Sequence, residues 1–322
     1  MQLHILSSTD INQALSMNQA IGVIRQAFLS LAQQKVIMPP RNIINIVTPP
    51  TVQEGEKLAV FMPAYFADTG ALGIKIASLV ATNHLCGLPL IHAIVILLDV
   101  STGMPLALLE GAAITALKTG ATSGLATEIL APKKTTTLAM IGAGAQARAQ
   151  LKAMCCVRKF QQIKIYSRTQ VKAQQFATEI LQQGNISSEV IVCDTLREAT
   201  QNADIICTTT TSKTPIIDIA DVKPGVHINA IGSHTLTTRE ISAPLIAKAK
   251  VVVEQRAATF RESCEREVIE LGELITHSPK STCLQSPVTL FASVGTALQD
   301  IAIATAVWKL AKEKNLGVFI NL

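Results

Sequence analysis

The sequence has few charged residues and no segment in which they are concentrated. Asp, Glu, Lys and Arg make up 16% of the 322 residues, and the formal net charge of +5 is spread along the chain. The absence of a basic stripe argues against a nucleic-acid partner. Hydrophobic residues make up 48% of the chain, which is enough to form the core of one large domain or two ordinary ones.

Long apolar runs and paired cysteines are also missing. No run approaches 18 uninterrupted apolar residues, and MQLHILSSTDINQA at the start lacks a charged region followed by an apolar one. We therefore expect a soluble, unexported protein with no membrane partner. The seven cysteines form an odd set without CxxC spacing, which predicts neither a disulfide framework nor a zinc site and favours a cytoplasmic location. No bound metal is expected.

Hydrophobic periodicity indicates two regions of different architecture. A first strand is followed by a helix over MNQAIGVIRQAFLSLAQQ, for which Ser16 is a plausible cap. Short β-prone segments then continue to Leu109, which is typical of an α+β region. After the small-residue helix GAAITALKTGATSGLATEIL, strands alternate with helices from Thr135 onward, as in a parallel sheet covered on both faces.

These patterns predict an α/β protein of two domains. Residues 113–300 are expected to form a Rossmann-like, doubly wound parallel sheet. The segment LFASVGTALQDIAIATAVWKLAKEKN reads as one long final helix that could return to the first domain. The first domain is therefore expected to comprise residues 1–112 with 301–322.

A glycine motif lies directly after an apolar strand of the second region. MIGAGAQARAQ contains Gly142-x-Gly144-x-x-Ala147 at the start of a helix. Gly142 permits a tight turn, Gly144 lets the backbone approach a pyrophosphate, and Ala147 lets the helix lie close to the sheet. The helix N-terminus then stabilises phosphate charge. This context predicts a dinucleotide site; the alternative is a tight turn without a ligand.

The next strand lacks the carboxylate that NAD-preferring sites usually have at this position. It ends in Ser167, Arg168 and Thr169. A guanidinium with neighbouring hydroxyl groups suits a 2′-phosphate, whereas a carboxylate would repel it. The sequence therefore favours NADP(H), with NAD(H) possible. The alternative is that Arg168 is a solvated surface charge.

Eight short motifs, in this order, resemble those of the ornithine cyclodeaminase and mu-crystallin family across nearly the whole chain. They are MPPRN at 38–42, LGIKIAS at 72–78, Asn83 with GLP at 87–89, ITALKTGATSGLA at 114–126, IGAGAQA at 141–147, NAIGS at 229–233, REI at 239–241 and SVGTALQD at 293–300. The resemblance implies a Rossmann domain and an N-terminal substrate-binding and dimerisation domain completed by the C-terminal helix, and therefore a homodimer. Family members reduce imines, oxidise amino acids or cyclise ornithine, always through a nicotinamide.

The resemblance also implies site residues. Arg41 and Lys75 match substrate carboxylate ligands, and Lys75 also matches the catalytic lysine. Ala145 and Gln146 match the diphosphate-binding turn, and the segment from Ser293 to Gly295 matches one that approaches the nicotinamide. The whole expected cofactor-binding set is Thr119, Gly142, Gly144, Ala145, Gln146, Ser167, Arg168, Thr169, Thr210, Gly232, Ser293, Val294 and Gly295.

Two positions depart from the family pattern. Lys118 stands where the family normally has an arginine that helps bind the carboxylate, so the charge is kept but the planar fork is lost. His234 replaces the aspartate that cyclodeaminases and related alanine dehydrogenases use for acid–base chemistry. His234 is expected to be a passive pocket residue, a hydrogen-bonding partner of ribose or water, or a general acid.

The expected activity is NAD(P)H-dependent reduction of cyclic ketimine carboxylates, such as Δ1-pyrroline-2-carboxylate to L-proline or Δ1-piperideine-2-carboxylate to L-pipecolate. The alternatives are an ornithine cyclodeaminase or amino-acid dehydrogenase of the same family, and an NADPH-dependent binding protein of low turnover. Each cationic residue also has a simpler interpretation. Lys75 is alternatively an edge-strand surface lysine, Arg41 a loop charge, and Lys118 a solvated side chain.

Overall fold

The computed structural model describes residues 2–46, 57–184, 186–232, 239–256, 268–276 and 287–321. The chain forms two compact units, Met1–Lys118 with Thr296–Leu322 and Thr119–Gly295. The first boundary falls inside a helix, beyond the boundary at residue 112 that the sequence suggested, and the second falls before residue 300. A boundary within a continuous helix produces no change of composition, so sequence patterns do not reveal it.

The first unit is built around a mixed, mostly antiparallel sheet. Its strands are β1 (Gln2–Leu6), β2 (Val36–Ile37), β3 (Asn42–Asn45), β4 (Lys57–Phe66), β5 (Leu72–Val80), β6 (Ile91–Leu98), β7 (Pro105–Glu110) and β16 (Val318–Asn321). The strand order is β16-β1-β7-β6-β5-β4-β2, and β3 also pairs with β4. The helices that begin in this unit are α1 (Ser8–Ala14), α2 (Met17–Ala32), α3 (Gly111–Leu130) and α9 (Ala297–Glu313).

The helix α2 confirms the prediction made from its periodicity. Ser16 caps it, and the Gln19 side chain accepts a hydrogen bond from the Ser16 backbone N–H in a reciprocal capping box. Ile24 and Phe28 lie on its fully buried face. Because this apolar face packs against α9, the helix contributes to the core of the first unit.

The helix α9 packs against the central strands β4, β5 and β6. Gly73 of β5 permits this close approach, because a Cβ atom at this position would lie 2.5 Å from the Ile96 carbonyl oxygen and 3.0 Å from Ile301 Cδ1. Lys75 pairs with Met62 on one side and Val95 on the other, and both neighbours are buried. The strand register thus directs a lysine to the same buried layer as apolar side chains.

The second unit contains an eight-stranded sheet in which every pair is parallel. Its strands are β8 (Thr137–Ile141), β9 (Gln162–Tyr166), β10 (Glu189–Val192), β11 (Ile205–Thr208), β12 (Val226–Ala230), β13 (Lys250–Val253), β14 (Ile269–Glu270) and β15 (Val288–Ala292). The strand order is β10-β9-β8-β11-β12-β15-β13-β14. From β8 the chain adds β9 and β10 on one side and then returns to add β11 on the other side, so the order of connection reverses between β8 and β11. This reversal is the switch point at which doubly wound sheets bind ligands.

Helices connect these parallel strands and cover the sheet. After the remainder of α3 they are α4 (Ala145–Val157), α5 (Gln170–Gln182), α6 (Leu196–Thr200), α7 (Ala243–Lys248) and α8 (Leu271–Thr276). Every residue of β8 and of β12 is buried, so both faces of the sheet are covered. The predicted Rossmann-like α/β fold is confirmed.

The expectation of one long helix from residue 290 was wrong. The residues Val288–Ala292 form strand β15 between β12 and β13, and α9 begins only at Ala297. A strand buried on both faces carries an unbroken apolar run that periodicity does not distinguish from a buried helix. Gly295, with φ of +70°, and the cap residue Thr296 separate the two elements.

Among the helices of the described residues, none is long and apolar enough to cross a membrane.

Candidate active site

The glycine turn between β8 and α4 has the geometry that a dinucleotide requires. Gly142 has φ of +105°, and a Cβ atom there would lie 2.7 Å from the Thr209 hydroxyl oxygen. Gly144 is exposed and caps α4, and a Cβ atom on it would meet no atom within 4 Å. Ala147 is fully buried, as the close approach of α4 to the sheet demands. The turn therefore leaves open space in front of the helix N-terminus.

Arg148 holds this turn in place. Its Nη1 donates hydrogen bonds of 3.0 Å to the carbonyl oxygens of Ala143 and Gly144, and its Nε and Nη2 each donate at 2.6 Å to the Glu179 carboxylate. The guanidinium also lies 5.1 Å from the centre of the Phe176 ring. Arg148 thus binds two carbonyl oxygens of the turn. The backbone N–H groups at the start of α4 have no side-chain cap, because the cap residue is Gly144.

A cleft of about 840 Å³ opens beside this turn. The predicted cofactor residues that line it are Gly142, Gly144, Ser167, Arg168, Thr169 and Thr210. Lys172 and Lys213 also line the cleft, and neither was identified from the sequence. Among the described residues that line the cleft, Arg168, Lys172 and Lys213 are cationic and none is Asp or Glu. The cleft is therefore suited to an anionic ligand.

Three further predicted cofactor residues lie at or near α4. Ala145 is its exposed first residue. The side-chain oxygen of Gln146 is buried and has no hydrogen-bond partner within the described parts of the chain. Thr119 is buried, and its carbonyl oxygen accepts a hydrogen bond from Gln150. The glycine turn, the unpaired Gln146 oxygen and the cationic cleft together fit a nicotinamide dinucleotide.

Glu240 fixes two of the predicted residues at the ends of β11 and β12. Its buried carboxylate accepts hydrogen bonds of 2.6–2.7 Å from the Thr208 hydroxyl, the Thr210 hydroxyl and backbone N–H, and the Gly232 N–H. A Cβ atom on Gly232 would lie 2.5 Å from Glu240 Oε1. Burial raises the pKa of the Glu240 carboxyl, an effect that its hydrogen bonds oppose.

Glu254 performs the corresponding role after β13. Its fully buried carboxylate accepts hydrogen bonds from the Ser293 hydroxyl at 2.6 Å, the Val294 N–H at 3.1 Å and the Gly295 N–H at 3.2 Å. The three residues expected to approach the nicotinamide are thus held by one side chain. Neither glutamate was assigned a role from the sequence, although Glu240 lies in the REI motif and a carboxylate next to an apolar stretch such as KVVVEQ is a signal of a buried, paired charge.

Three buried charged side chains form a separate cluster in the first unit. Asp300 is fully buried at the start of α9, and its two carboxylate oxygens lie 3.3 Å from Lys75 Nζ and 3.1 Å from Lys118 Nζ. Lys75 and Lys118 are only 6% and 3% exposed, which excludes the interpretation of either as a solvated surface lysine. Asp300 lies in the SVGTALQD segment, but the sequence assigned it no role.

The hydrogen bonds around Lys75 define which of its protons are used. Thr115 donates its hydroxyl proton to the Gly111 carbonyl oxygen at 2.6 Å, so its oxygen accepts from Lys75 Nζ at 2.6 Å. A second N–H of Lys75 points to Asp300. An ammonium group has three N–H donors, so the described partners leave one for a ligand.

Arg41 and His234 complete the predicted substrate and catalytic residues. Arg41 is partly buried and directly precedes β3. His234 lies outside the described residues, so its role stays a prediction. In the part of the chain that the structure covers, no group of three or more His, Cys, Asp or Glu side chains is arranged to hold a metal ion.

The parallel sheet, its glycine turn and the cationic cleft define a Rossmann-type dinucleotide-binding protein. The model of the ornithine cyclodeaminase/mu-crystallin family matches residues 1–315. A Δ1-pyrroline-2-carboxylate reductase of Bacillus cereus is 34% identical over 97% of this chain and 98% of its own. The chain belongs to the ornithine cyclodeaminase/mu-crystallin family.

Solved structures give the same result. The Thermococcus litoralis Δ1-pyrroline-2-carboxylate reductase, in complex with NADH and L-proline, is similar with a TM-score of 0.88 and 33% identity over 99% of this chain and 100% of that one. An archaeal alanine dehydrogenase dimer with bound NAD has a TM-score of 0.86 and 29% identity, with both chains fully covered. The protein is thus an oxidoreductase that acts on carbon–nitrogen bonds with a nicotinamide cofactor.

Proposed function

We propose that this enzyme reduces cyclic ketimine carboxylates, converting Δ1-pyrroline-2-carboxylate to L-proline or Δ1-piperideine-2-carboxylate to L-pipecolate. The observation that carries the proposal is the buried cluster of Lys75, Lys118 and Asp300. Cationic donors shielded from water bind a carboxylate more strongly than exposed ones do. The similarity to a reductase solved with NADH and L-proline supports the same substrate class.

In this proposal the chain's main contribution is positioning. When bound, the nicotinamide supplies hydride to the imine carbon. Lys75, with Lys118 and Arg41, holds the neighbouring carboxylate and so fixes the ring for attack, which accounts for a large part of catalysis in such reactions. The nitrogen takes up one proton from water as the C=N bond becomes CH–NH, so the reduction needs one proton donor and no base that acts throughout the cycle.

A cyclodeaminase needs more acid–base chemistry than an imine reductase. It must oxidise the amine, expel ammonia and reduce the resulting imine, with a base present throughout. In this sequence His234 stands in the position of the family aspartate that does this work. The substitution favours imine reduction over cyclodeamination.

The proposed preferred cofactor is NADP(H). Arg168, Lys172 and Lys213 line one cleft together with the hydroxyl-bearing Ser167 and Thr169, and the described lining contains no carboxylate. A 2′-phosphate gains from each of these features, whereas the ribose hydroxyls of NAD lack their usual acidic acceptor. The two similar proteins described above were solved with NADH or NAD, so the proposed preference differs from the cofactors in those complexes. It is measured as the ratio of kcat/KM with NADPH to kcat/KM with NADH.

A homodimer is proposed as the state of the enzyme in solution. The first unit exposes large apolar side chains on strands of its sheet, including Ile43 and Ile44 of β3 and Ile91 and Ile94 of β6. Of these, Ile44 and Ile94 lie on the same face of the sheet by strand register. Large apolar side chains exposed on one face are typical of a protein interface. The similarity to a dimeric alanine dehydrogenase supports the proposal.

Lys75→Ala tests the catalytic part of the proposal. We expect kcat/KM for the imine to fall by about 100-fold or more, because the carboxylate loses a buried donor. The dissociation constant for NADP+ should remain unchanged, because Lys75 does not line the dinucleotide cleft. Lys35→Ala, which removes an exposed lysine from the same unit, serves as the matched control. Unchanged imine turnover in Lys75→Ala would remove Lys75 from the mechanism.

A further inference from the structure

The charges of the buried cluster point to a narrower substrate class, an inference that rests on the proposed function. Lys75 and Lys118 contribute two positive charges and Asp300 contributes one negative charge, so the three side chains carry a net charge of +1. One substrate carboxylate makes this group neutral. A second carboxylate would bring an uncompensated negative charge into the site, which is costly where side chains are shielded from water.

We propose that Asp300 is a positioning residue that selects substrates with a single carboxylate. Each of its oxygens bonds a different lysine, so it holds two ammonium groups together that would otherwise repel each other. Its location in the first turn of α9 stabilises its own charge through the helix N-terminus. The carboxylate is fully buried, so solvent does not screen its effect on the site.

The surrounding hydrogen bonds limit how the cluster rearranges around a ligand. Because the Thr115 hydroxyl proton is directed to Gly111, Thr115 accepts from Lys75 and does not donate to a substrate. Lys75 therefore offers its remaining N–H from a fixed position. Arg41 is partly exposed, so solvent screens its charge more strongly than the charges of the buried Lys75 and Lys118.

Two planar anions that differ by one carboxylate test this selection. Pyrrole-2-carboxylate resembles a flat five-membered imine ring and carries one negative charge, whereas pyrrole-2,5-dicarboxylate carries two. Calorimetric dissociation constants are measured for both with the full chain saturated with NADPH, whose nicotinamide ring is neutral and which does not reduce an aromatic pyrrole. The wild type should bind the monocarboxylate at least about tenfold more tightly than the dicarboxylate.

Asp300→Asn changes the net charge of the cluster from +1 to +2 while nearly preserving side-chain shape. It should reduce the preference for the monocarboxylate by about tenfold. Asp300→Glu retains the charge and should restore the preference even if both ligands bind more weakly. Glu313→Gln removes a negative charge from an exposed position of the same helix and should leave the preference unchanged.

Two results would overturn the inference: equal affinity of the wild type for both anions, or an unchanged preference in folded Asp300→Asn. If Asp300→Asn does not fold, the wild-type ratio and the Asp300→Glu ratio decide. The measurement requires no turnover, so a failure of imine reduction together with the expected ratios would contradict only the proposed function.

Discussion

At the scale of the residue, His227 shows how burial controls a titratable group outside the active site. It lies fully buried in β12, with Nδ1 at 2.9 Å from the Thr289 hydroxyl oxygen. Its Nε2 has no hydrogen-bond partner within the described ranges. Burial lowers the pKa of this imidazole from 6.5 to about 3, because the charged form loses its hydration.

This shift predicts a loss of stability in mild acid. The unfolded chain protonates His227 below pH 6.5, whereas the folded chain resists protonation until about pH 3, so acidification favours unfolding between these values. The free energy of unfolding should fall by about 1.4 kcal/mol per pH unit in this range. Urea titrations at pH 7 and pH 5 measure the free energy of unfolding of the wild type and of His227→Gln. Between these pH values the wild type should lose about 2 kcal/mol more of this free energy than His227→Gln does. Identical pH dependence would contradict it.

At the scale of the element, local patterns predicted most helices and strands because their periods and caps are local. The helix α2 was predicted from its apolar spacing and Ser16, and α4 from the glycine motif. The strand β15 was missed because its neighbours β12 and β13 are distant in sequence, and only pairing with them distinguishes it from a helix. Likewise β16 pairs with β1 at the opposite end of the chain.

The exposed strand surface of the first unit leads to a prediction about assembly. Ile94 of β6 is 39% exposed, and Ile76 lies opposite it in β5. Ile94→Lys should convert a dimer of 34.3 kDa chains into monomers, because it places a charge within an apolar interface. Light scattering after gel filtration gives the mass. Leu181→Lys, at an exposed position of α5 in the second unit, is the control. A monomeric wild type, or an Ile94→Lys dimer, would contradict the proposal.

At the scale of the whole molecule, the dinucleotide site was easier to predict than the cationic cluster. Glycines 142 and 144 are close in sequence and have a mechanism that can be read locally. Lys75, Lys118 and Asp300 come from a strand and two helices that only the folded chain brings together. Family resemblance identified the lysines, but the pairing with Asp300 depends on the packing of α9 against the sheet.

The same contrast applies to the supporting carboxylates. Neither Glu240 nor Glu254 was assigned a role from the sequence, yet each holds a segment that the sequence associated with the cofactor. Their role follows from hydrogen bonds between loops at the ends of several parallel strands. Sequence patterns therefore identified the residues expected to meet the cofactor, and the structure adds the residues that fix them.

The most direct test of the central claim is a steady-state assay of the purified wild type with Δ1-pyrroline-2-carboxylate and Δ1-piperideine-2-carboxylate, each with NADPH and with NADH. We predict cofactor oxidation coupled to formation of L-proline or L-pipecolate, with the higher kcat/KM for NADPH. Ammonia release from ornithine, with no turnover of either imine, would contradict it.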